Sequence, residues 1–223
     1  MRKVIAVISL TTAFLSAAES DAPKRLQAAA DVFKEVMGIP DKSIPQDLLN
    51  KSSCIVIVPG LKKGAFIVGA KYGKGFVSCR HKSGAGWGAP GSVRVEGGSF
   101  GFQIGGSETD VIMLVMNERG MNRLLSTKFT LGGDATVAAG PVGRSTQAET
   151  DAAMTAEILT WSRARGLFAG ISLSGATLRE DSDWNNDLYG RKITNREIVT
   201  STIAPPAPAK PLLAELNRYS SRK

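Results

Sequence analysis

A run of apolar segments punctuated by glycine, from residue 54 to residue 145, constrains this fold more than any other feature of the chain. The run opens with Cys54–Gly60 (CIVIVPG) and closes with Val137–Arg144 (VAAGPVGR). Short apolar segments bounded by turn residues are typical of buried strands, and glycine inside them marks tight turns or close backbone contacts. The run therefore predicts a close-packed sheet that presents a surface, rather than a site that breaks bonds.

The flanking sequence predicts helices on either side of this sheet. Residues 22–37 carry apolar side chains at helical spacing and end at a glycine, which predicts an amphipathic helix. A short second helix is expected over Pro45 to Lys51. Strands are expected over residues 54–59, 64–71, 74–80, 100–104 and 111–116, with a hairpin over 152–173. The predicted class is α+β: a curved, glycine-rich antiparallel sheet or barrel-like core with flanking helices.

The first residues have the pattern of an export signal. Arg2 and Lys3 precede an apolar stretch too short to span a bilayer, and the small residues Ser16, Ala17 and Ala18 follow it. We therefore expect a signal peptide over 1–18, a domain over 22–203 and a proline-rich tail over 204–223, extended from Ala204 to Pro211. This organisation predicts a periplasmic or secreted protein without a transmembrane helix in its mature part.

The two cysteines, Cys54 and Cys79, allow a disulfide in an oxidising compartment. In a simple meander of strands 54–59, 64–71 and 74–80, a third strand would separate the two. They would then lie about 9–10 Å apart, which is too far to bridge. The meander therefore favours free, buried thiols.

Several catalytic and metal-binding patterns are incomplete. His81, the only histidine, stands between Arg80 and Lys82, and no nucleophile-elbow motif accompanies it. Gly64–Lys71 departs from a phosphate-binding loop, because an alanine precedes its lysine and no Ser or Thr follows it. Asp181–Asp187 resembles a calcium loop but lacks the central glycine and the closing glutamate, so a capped turn is the preferred interpretation. We expect no enzyme activity, no cofactor and no metal.

The chain is basic, with a formal net charge of +8, which favours anionic partners. Lys24, Arg25 and Lys34 fall on the first predicted helix. Lys62 and Lys63 fall on a predicted turn at 60–64, and Lys71 and Lys74 around the next turn, at 72–75. Such cations could hold an anionic membrane, with the apolar helix residues Leu26, Phe33 and Met37 inserted. Alternatively, the helix packs its apolar face on the sheet.

The order of the glycine motifs resembles the SYLF domain family over about residues 24–200. The motifs that carry the resemblance are Cys54–Gly60, Gly69–Gly75, Gly86–Pro90, Gly97–Gly105, Val115–Asn117, Gly140–Arg144, Trp161–Arg163, Gly166–Gly170 and Tyr189–Gly190. The resemblance implies a lipid-binding module, because eukaryotic members bind phosphoinositides through a basic amphipathic N-terminal helix. Some members also bind actin and carry an SH3 or FYVE domain, neither of which is present in this sequence.

Together these observations predict a non-catalytic module that docks on anionic phospholipid head groups and binds no nucleic acid. The expected lipid-binding residues are Lys24, Arg25, Lys34, Lys62, Lys63, Lys71 and Lys74. The alternative is a structural envelope protein that acts by protein–protein contact. Comparison of vesicle binding at low and high salt separates the two, because only electrostatic docking is screened.

Overall fold

A computed structural model describes most of the chain. The described residues are 20–41, 43–65, 68–81, 83, 85–100, 105–126, 128–143, 155–164, 167–171, 173 and 175–221. The predicted signal peptide, residues 1–18, and most of the strand predicted over 100–104 lie outside them.

The described residues form helices and strands in an α+β arrangement. The helices are α1 (Ala22–Met37), α2 (Gln46–Lys51), α3 (Glu118–Leu124), α4 (Ser182–Tyr189), α5 (Asn195–Thr200) and α6 (Lys210–Ser220), with a 3₁₀ turn at Ala207–Ala209. The strands are β1 (Cys54–Ala65), β2 (Val68–Cys79), β3 (Gly91–Phe100), β4 (Gly105–Val115), β5 (Lys128–Thr130), β6 (Val137–Ala139), β7 (Ile158–Ala164), β8 (Leu167–Gly170) and β9 (Thr177–Glu180). The helix over 22–37 and the hairpin β7–β8 confirm two sequence predictions.

These strands form one strongly curled sheet in the order β5-β9-β3-β2-β1-β4-β7-β6, with β8 also pairing with β7. All of the pairings between these strands are antiparallel except the short β6–β7 pair. The curved, antiparallel α+β core expected from the glycine pattern is thus confirmed.

The sheet separates two hydrophobic clusters. Its outer face carries Ile55, Phe76 and Trp161, which share a cluster with Leu26 and Phe33 of α1. Its inner face carries a second cluster that is closed by the edge strands of the same curled sheet. The inner cluster includes Val56, Val58, Val77, Val93, Val111, Phe129 and Leu178. The apolar side of α1 is therefore packed on protein, which confirms the second of the two interpretations of this helix.

A bulge in β1 replaces the turn that the sequence predicts at residues 60–64. The pairing of β1 with β4 shifts by one residue between Val58 and Leu61, and Gly60 there has φ +58°. Glycine adopts this conformation without steric penalty, so the strand continues through the bulge to Ala65. The predicted turn at 72–75 is also wrong. Those residues lie inside β2 and pair with residues 93–96 of β3.

The continuous β1–β2 hairpin also corrects the prediction for the cysteines. Cys54 and Cys79 are direct partners on adjacent strands, and they form a disulfide with a Cα–Cα distance of 3.9 Å. The free-thiol prediction was wrong because it assumed three strands where the chain forms two.

The extended conformation expected over Ala204 to Pro211 continues only as far as Pro206, because a 3₁₀ turn begins at Ala207. Residues Lys210–Ser220 form α6, whose Leu212 and Leu216 are buried in the outer cluster beside α1. Trp87 Nε1 and Arg80 Nη1 both donate hydrogen bonds to the carbonyl oxygen of Ser220. This part of the predicted tail therefore belongs to the core.

The helices of the described ranges were also compared with the length and hydropathy of a membrane span. None of these helices is both long and apolar enough to cross a bilayer.

Candidate functional site

The three predicted cations of α1 lie in different surroundings. Lys24 is exposed, with its Nζ 3.9 Å from Asp21 Oδ1. Arg25 is half-buried, and its Nη1 donates a 3.0 Å hydrogen bond to the carbonyl oxygen of Pro59 beside the bulge. Lys34 is exposed near the other end of the helix, about 15 Å from Lys24 by helix rise. The helix therefore does not gather these three cations at one point.

The bulge decides which way the lysines of β1 point. Before it, Ile55 and Ile57 point to the outer face, whereas after it the odd-numbered Leu61 lies in the inner cluster. Lys62 consequently lies on the outer face, opposite Tyr72 of β2 and Glu108 of β4. Glu108 supplies an anionic neighbour for Lys62 on that face.

Lys63 and Lys71 form a like-charged pair on the inner face. They are direct cross-strand partners in the β1–β2 ladder, and the other neighbours in register are Ser107 and Gly97. Burial, and secondly the charge of Lys71, lower the pKa of the Lys63 ammonium. Among the ion pairs between described residues, none involves either lysine. Directly opposed like charges destabilise a sheet, so this pair is suited to an external anion.

Lys74 is held within the protein. Its Nζ lies 2.7 Å from Asp181 Oδ2, at side-chain exposures of 24% for the lysine and 1% for the aspartate. The same ammonium lies 4.4 Å from the ring centroid of Trp184. Because Asp181 is buried, Lys74 neutralises a charge of the protein itself and is poorly placed to serve a ligand.

The structure thus brings together only part of the predicted set. Lys62, Lys63 and Lys71 share the far part of the β1–β2 hairpin with Tyr72, whose exposed fraction is 48%. We call these four residues the hairpin end. Sequence reasoning missed Tyr72, although its position between a lysine and a glycine was a usable signal for an exposed aromatic residue near a membrane surface.

The rejected chemical motifs have structural roles. Asp181 begins α4, and its side chain accepts a hydrogen bond from the backbone N–H of Trp184, so the calcium-like segment is a capped helix. The sequon Asn50-Lys51-Ser52 ends in a buried serine whose hydroxyl donates to the carbonyl oxygen of Leu49. His81 is exposed. Within the described ranges, no three His, Cys, Asp or Glu side chains converge to hold a metal.

Comparison with known proteins identifies relatives over most of the chain. Residues 96–219 match a family model described as Ysc84, Las17-binding protein actin regulator. SH3 domain-containing YSC84-like protein 1 of Xenopus laevis is 34% identical over 201 residues, which cover 87% of this chain and 59% of that protein. The human protein of the same name is 31% identical, over 91% of this chain and 60% of its own length. LAS seventeen-binding protein 3 of Saccharomyces cerevisiae is 31% identical, over 89% of this chain and 44% of its own length.

The chain spans about three fifths, or less, of the length of these curated relatives. Their names describe an SH3 domain or a binding partner, and none of those names describes an enzyme. The activities of the full-length relatives are therefore not assigned to this chain.

The relatives also overturn the predicted localisation. These relatives are eukaryotic SH3-containing and actin-regulating proteins, and such proteins are not exported to a periplasm. The expectation of a periplasmic or secreted protein was therefore wrong. It rested on the N-terminal residues alone, and those lie outside the described residues.

The family itself is no longer only a resemblance. A single model covers more than half of the chain, and vertebrate and yeast members align over nearly all of it. The chain belongs to the Ysc84 family of SYLF-domain proteins, as its ordered glycine motifs indicated.

Proposed function

We propose that this domain is a non-catalytic module that docks on anionic phospholipid membranes through the hairpin end. The observation that carries the proposal is the Lys63–Lys71 pair, two opposed ammonium groups with no acidic partner among the described residues. An anionic head group between them would replace repulsion by attraction. Lys62 adds a third charge, and Tyr72 offers an amphipathic ring suited to the head-group layer.

The expected affinity is modest. Each lysine held near an anionic surface contributes about 1 kcal/mol, so these three contribute about 3 kcal/mol in low salt. The attraction falls away within a Debye length of about 8–10 Å at physiological salt. Docking would therefore be reversible and salt-sensitive. Lys24 and Lys34, which are exposed on α1, remain secondary contributors in this proposal, whereas Arg25 and Lys74 serve internal contacts.

Vesicle sedimentation tests the proposal. The triple variant Lys62→Gln, Lys63→Gln, Lys71→Gln should lose sedimentation with phosphatidylserine-containing vesicles, while the unmodified protein sediments in low salt and is released in high salt. A matched triple, Lys51→Gln, Arg191→Gln, Lys192→Gln, removes the same charge from exposed sites elsewhere and should keep binding. Equal loss in both triples would mean that net charge alone drives sedimentation and would overturn the assignment to the hairpin end.

A second candidate function is protein contact in actin regulation. The matching family is described as an actin regulator that binds Las17, which favours a role of this kind for the domain. Capture by immobilised Las17 and co-sedimentation with actin filaments test it. Binding that survives the hairpin-end triple would place protein contact on a different surface.

A further inference from the structure

A row of cations crosses the outer face of the sheet beside the hairpin end. Lys74 of β2 lies opposite Arg94 of β3, Arg94 lies opposite Arg179 of β9, and Arg179 lies opposite Lys128 of β5. Directly opposed residues point to the same face, and neighbouring strands are about 4.8 Å apart, so the row spans about 14 Å. We call Arg94, Arg179 and Lys128 the cation row, since Lys74 is bound to Asp181.

A single carboxylate lies close to both arginines of the cation row. Glu96 Oε1 lies 3.0 Å from Arg94 Nε, and Glu96 Oε2 lies 3.4 Å from Arg179 Nε. No hydrogen bond between described residues engages the terminal Nη atoms of either guanidinium. Both arginine side chains keep more than a third of their surface exposed, at 37% and 39%. Neither Nε atom makes a hydrogen bond, so the contacts with Glu96 are ion pairs, and the outer nitrogens of both guanidinium groups are able to bind carboxylates.

The surroundings of the cation row add hydroxyl groups. Glu96 lies between Tyr72 of β2 and Thr177 of β9, and Thr177 lies opposite Thr130 of β5. Both threonines are half-buried and the tyrosine is exposed. Arginine and tyrosine are the residue types that concentrate binding energy in protein interfaces. The face thus combines fixed charge, hydroxyl donors and an aromatic ring.

We propose that the cation row binds an acidic segment of a protein partner, with Asp or Glu carboxylates paired to Arg94 and Arg179. The charges favour this occupant over a membrane or a nucleic acid. Glu96 neutralises one of the three cations, and the remaining charge is small beside the six or more phosphate contacts that nucleic-acid binding commonly uses. Short-range bidentate pairing needs only a few well-oriented guanidinium groups. The three cations of the row span about 10 Å, so an extended segment of about three residues would cover them.

Fluorescence anisotropy tests the proposal by comparing the binding of a labelled hexaglutamate peptide with that of a labelled hexaglutamine peptide. In the full chain, Arg94→Gln with Arg179→Gln should weaken hexaglutamate binding by about tenfold or more. Arg94→Lys with Arg179→Lys keeps the charge but loses the planar fork, and should also weaken binding severalfold. The control pair Arg191→Gln with Lys192→Gln removes two exposed cations elsewhere and should leave binding within about twofold.

The outcomes separate this proposal from the membrane proposal, on which it does not depend. Equal loss in the control pair, full binding by the arginine-to-lysine pair, or no preference for hexaglutamate over hexaglutamine would overturn it. So would a larger effect of the Arg94 and Arg179 substitutions on phosphatidylserine vesicles or on a single-stranded oligonucleotide than on the peptide. Carbodiimide cross-linking of hexaglutamate to the unmodified protein needs no variant. Preferential linkage to Lys128 supports the proposal, and uniform linkage to all exposed lysines contradicts it.

Discussion

Lys74 Nζ lies 2.7 Å from the buried Oδ2 of Asp181, and this ion pair joins strand β2 to the start of helix α4. The lysine also lies over the ring of Trp184, so it contributes to packing as well as charge. The residue therefore belongs to the scaffold, although its sequence context is that of a surface cation.

Replacing Lys74 by methionine should destabilise the fold more than it affects vesicle binding. The change leaves the Asp181 carboxylate buried without its cation, which we expect to lower the free energy of unfolding by about 3 kcal/mol. Urea unfolding measures this change. The double variant Lys74→Met, Asp181→Asn should recover part of the loss, because the unpaired charge is gone. A single variant as stable as the unmodified protein would contradict this role.

The pKa of Lys63 gives a pH-dependent test of the hairpin end. Burial and the neighbouring Lys71 lower the pKa of this ammonium from its ordinary value of 10.5. The unfolded chain therefore binds more protons between the lowered and the ordinary pKa, and the contribution of Lys63 to stability rises with pH through that window. Below the lowered pKa, the charged amine opposes folding unless an anion is bound.

Amine labelling followed by mass spectrometry measures this pKa at a single residue. We expect Lys63 to react at lower pH in the folded than in the urea-unfolded protein, and Lys71→Met to move the Lys63 profile of the folded protein to higher pH. Lys128→Met, which removes a lysine from another strand, should leave the profile in place. Anionic vesicles should also raise the pKa of Lys63. A Lys63 profile that is the same in the folded and the unfolded protein would be inconsistent with the described pair.

The Cys54–Cys79 disulfide should contribute substantially to stability. It closes a loop with a sequence separation of 25 residues, for which restriction of the unfolded chain gives about 3.5 kcal/mol. Reductant should therefore lower the urea midpoint of the unmodified protein. The Cys54→Ala, Cys79→Ala variant should unfold at a lower midpoint that does not respond to reductant. An unmodified protein that also ignores reductant would show that the thiols are free in solution.

Gly75 is expected to tolerate no side chain. A Cβ atom there would lie 2.1 Å from the carbonyl oxygen of Ile57 on the neighbouring strand, and that backbone cannot move without breaking the ladder. Gly75→Ala should therefore cost about 2–3 kcal/mol or more in thermal or urea unfolding. Gly64→Ala is the matched control in the same hairpin, because nothing lies within 4 Å of its Cβ position. Its effect should be within about 0.5 kcal/mol.

The C-terminal helix α6 should be required for the stability of the domain. Leu216 is fully buried in the outer cluster, and Leu216→Ala should lower the unfolding free energy by about 2–4 kcal/mol. Arg218→Ala, on an exposed position of the same helix, is the control. Differential scanning calorimetry compares the two. Equal melting temperatures would indicate that α6 is dispensable, as the predicted end of the domain at residue 203 implied.

The periodicity of the sequence was sufficient for several elements. The spacing of Leu26, Ala30, Phe33 and Met37 predicted α1 with its observed bounds. Thr194 and Glu197, which have the spacing of a capping box, form one at the start of α5. These signals are local, since each depends on residues within a few turns of one helix. The glycine motifs likewise predicted a curved sheet, because glycine is needed where the backbones of neighbouring segments come close together.

Register and long-range pairing could not be predicted in the same way. The glycines at 60 and 64 suggested a turn, but only the pairing with β4 shows that the first forms a bulge and the second a strand position. The sequence of the four-residue strand β9 has no distinctive hydrophobic pattern, so its pairing with β3, which places Arg179 opposite Arg94, could not be predicted from the sequence. The proline-rich start of the predicted tail hid α6, whose burial depends on contacts with residues distant in sequence.

The bulge at Gly60 has a consequence for changes in chain length. It contributes one unmatched residue to β1, and Gly60 N–H is satisfied by a hydrogen bond to Asp110 Oδ1. Deleting that residue would restore strict alternation with Leu61 still on the inner face, so Lys62 and Lys63 would keep their directions and the net charge would stay the same. Straightening the strand with Gly60 retained would instead exchange the directions of the two lysines. Homologous hairpins that lack the bulge residue would thus present the same surfaces at a different length, so alignments of this segment must place the gap at the bulge before they compare side chains.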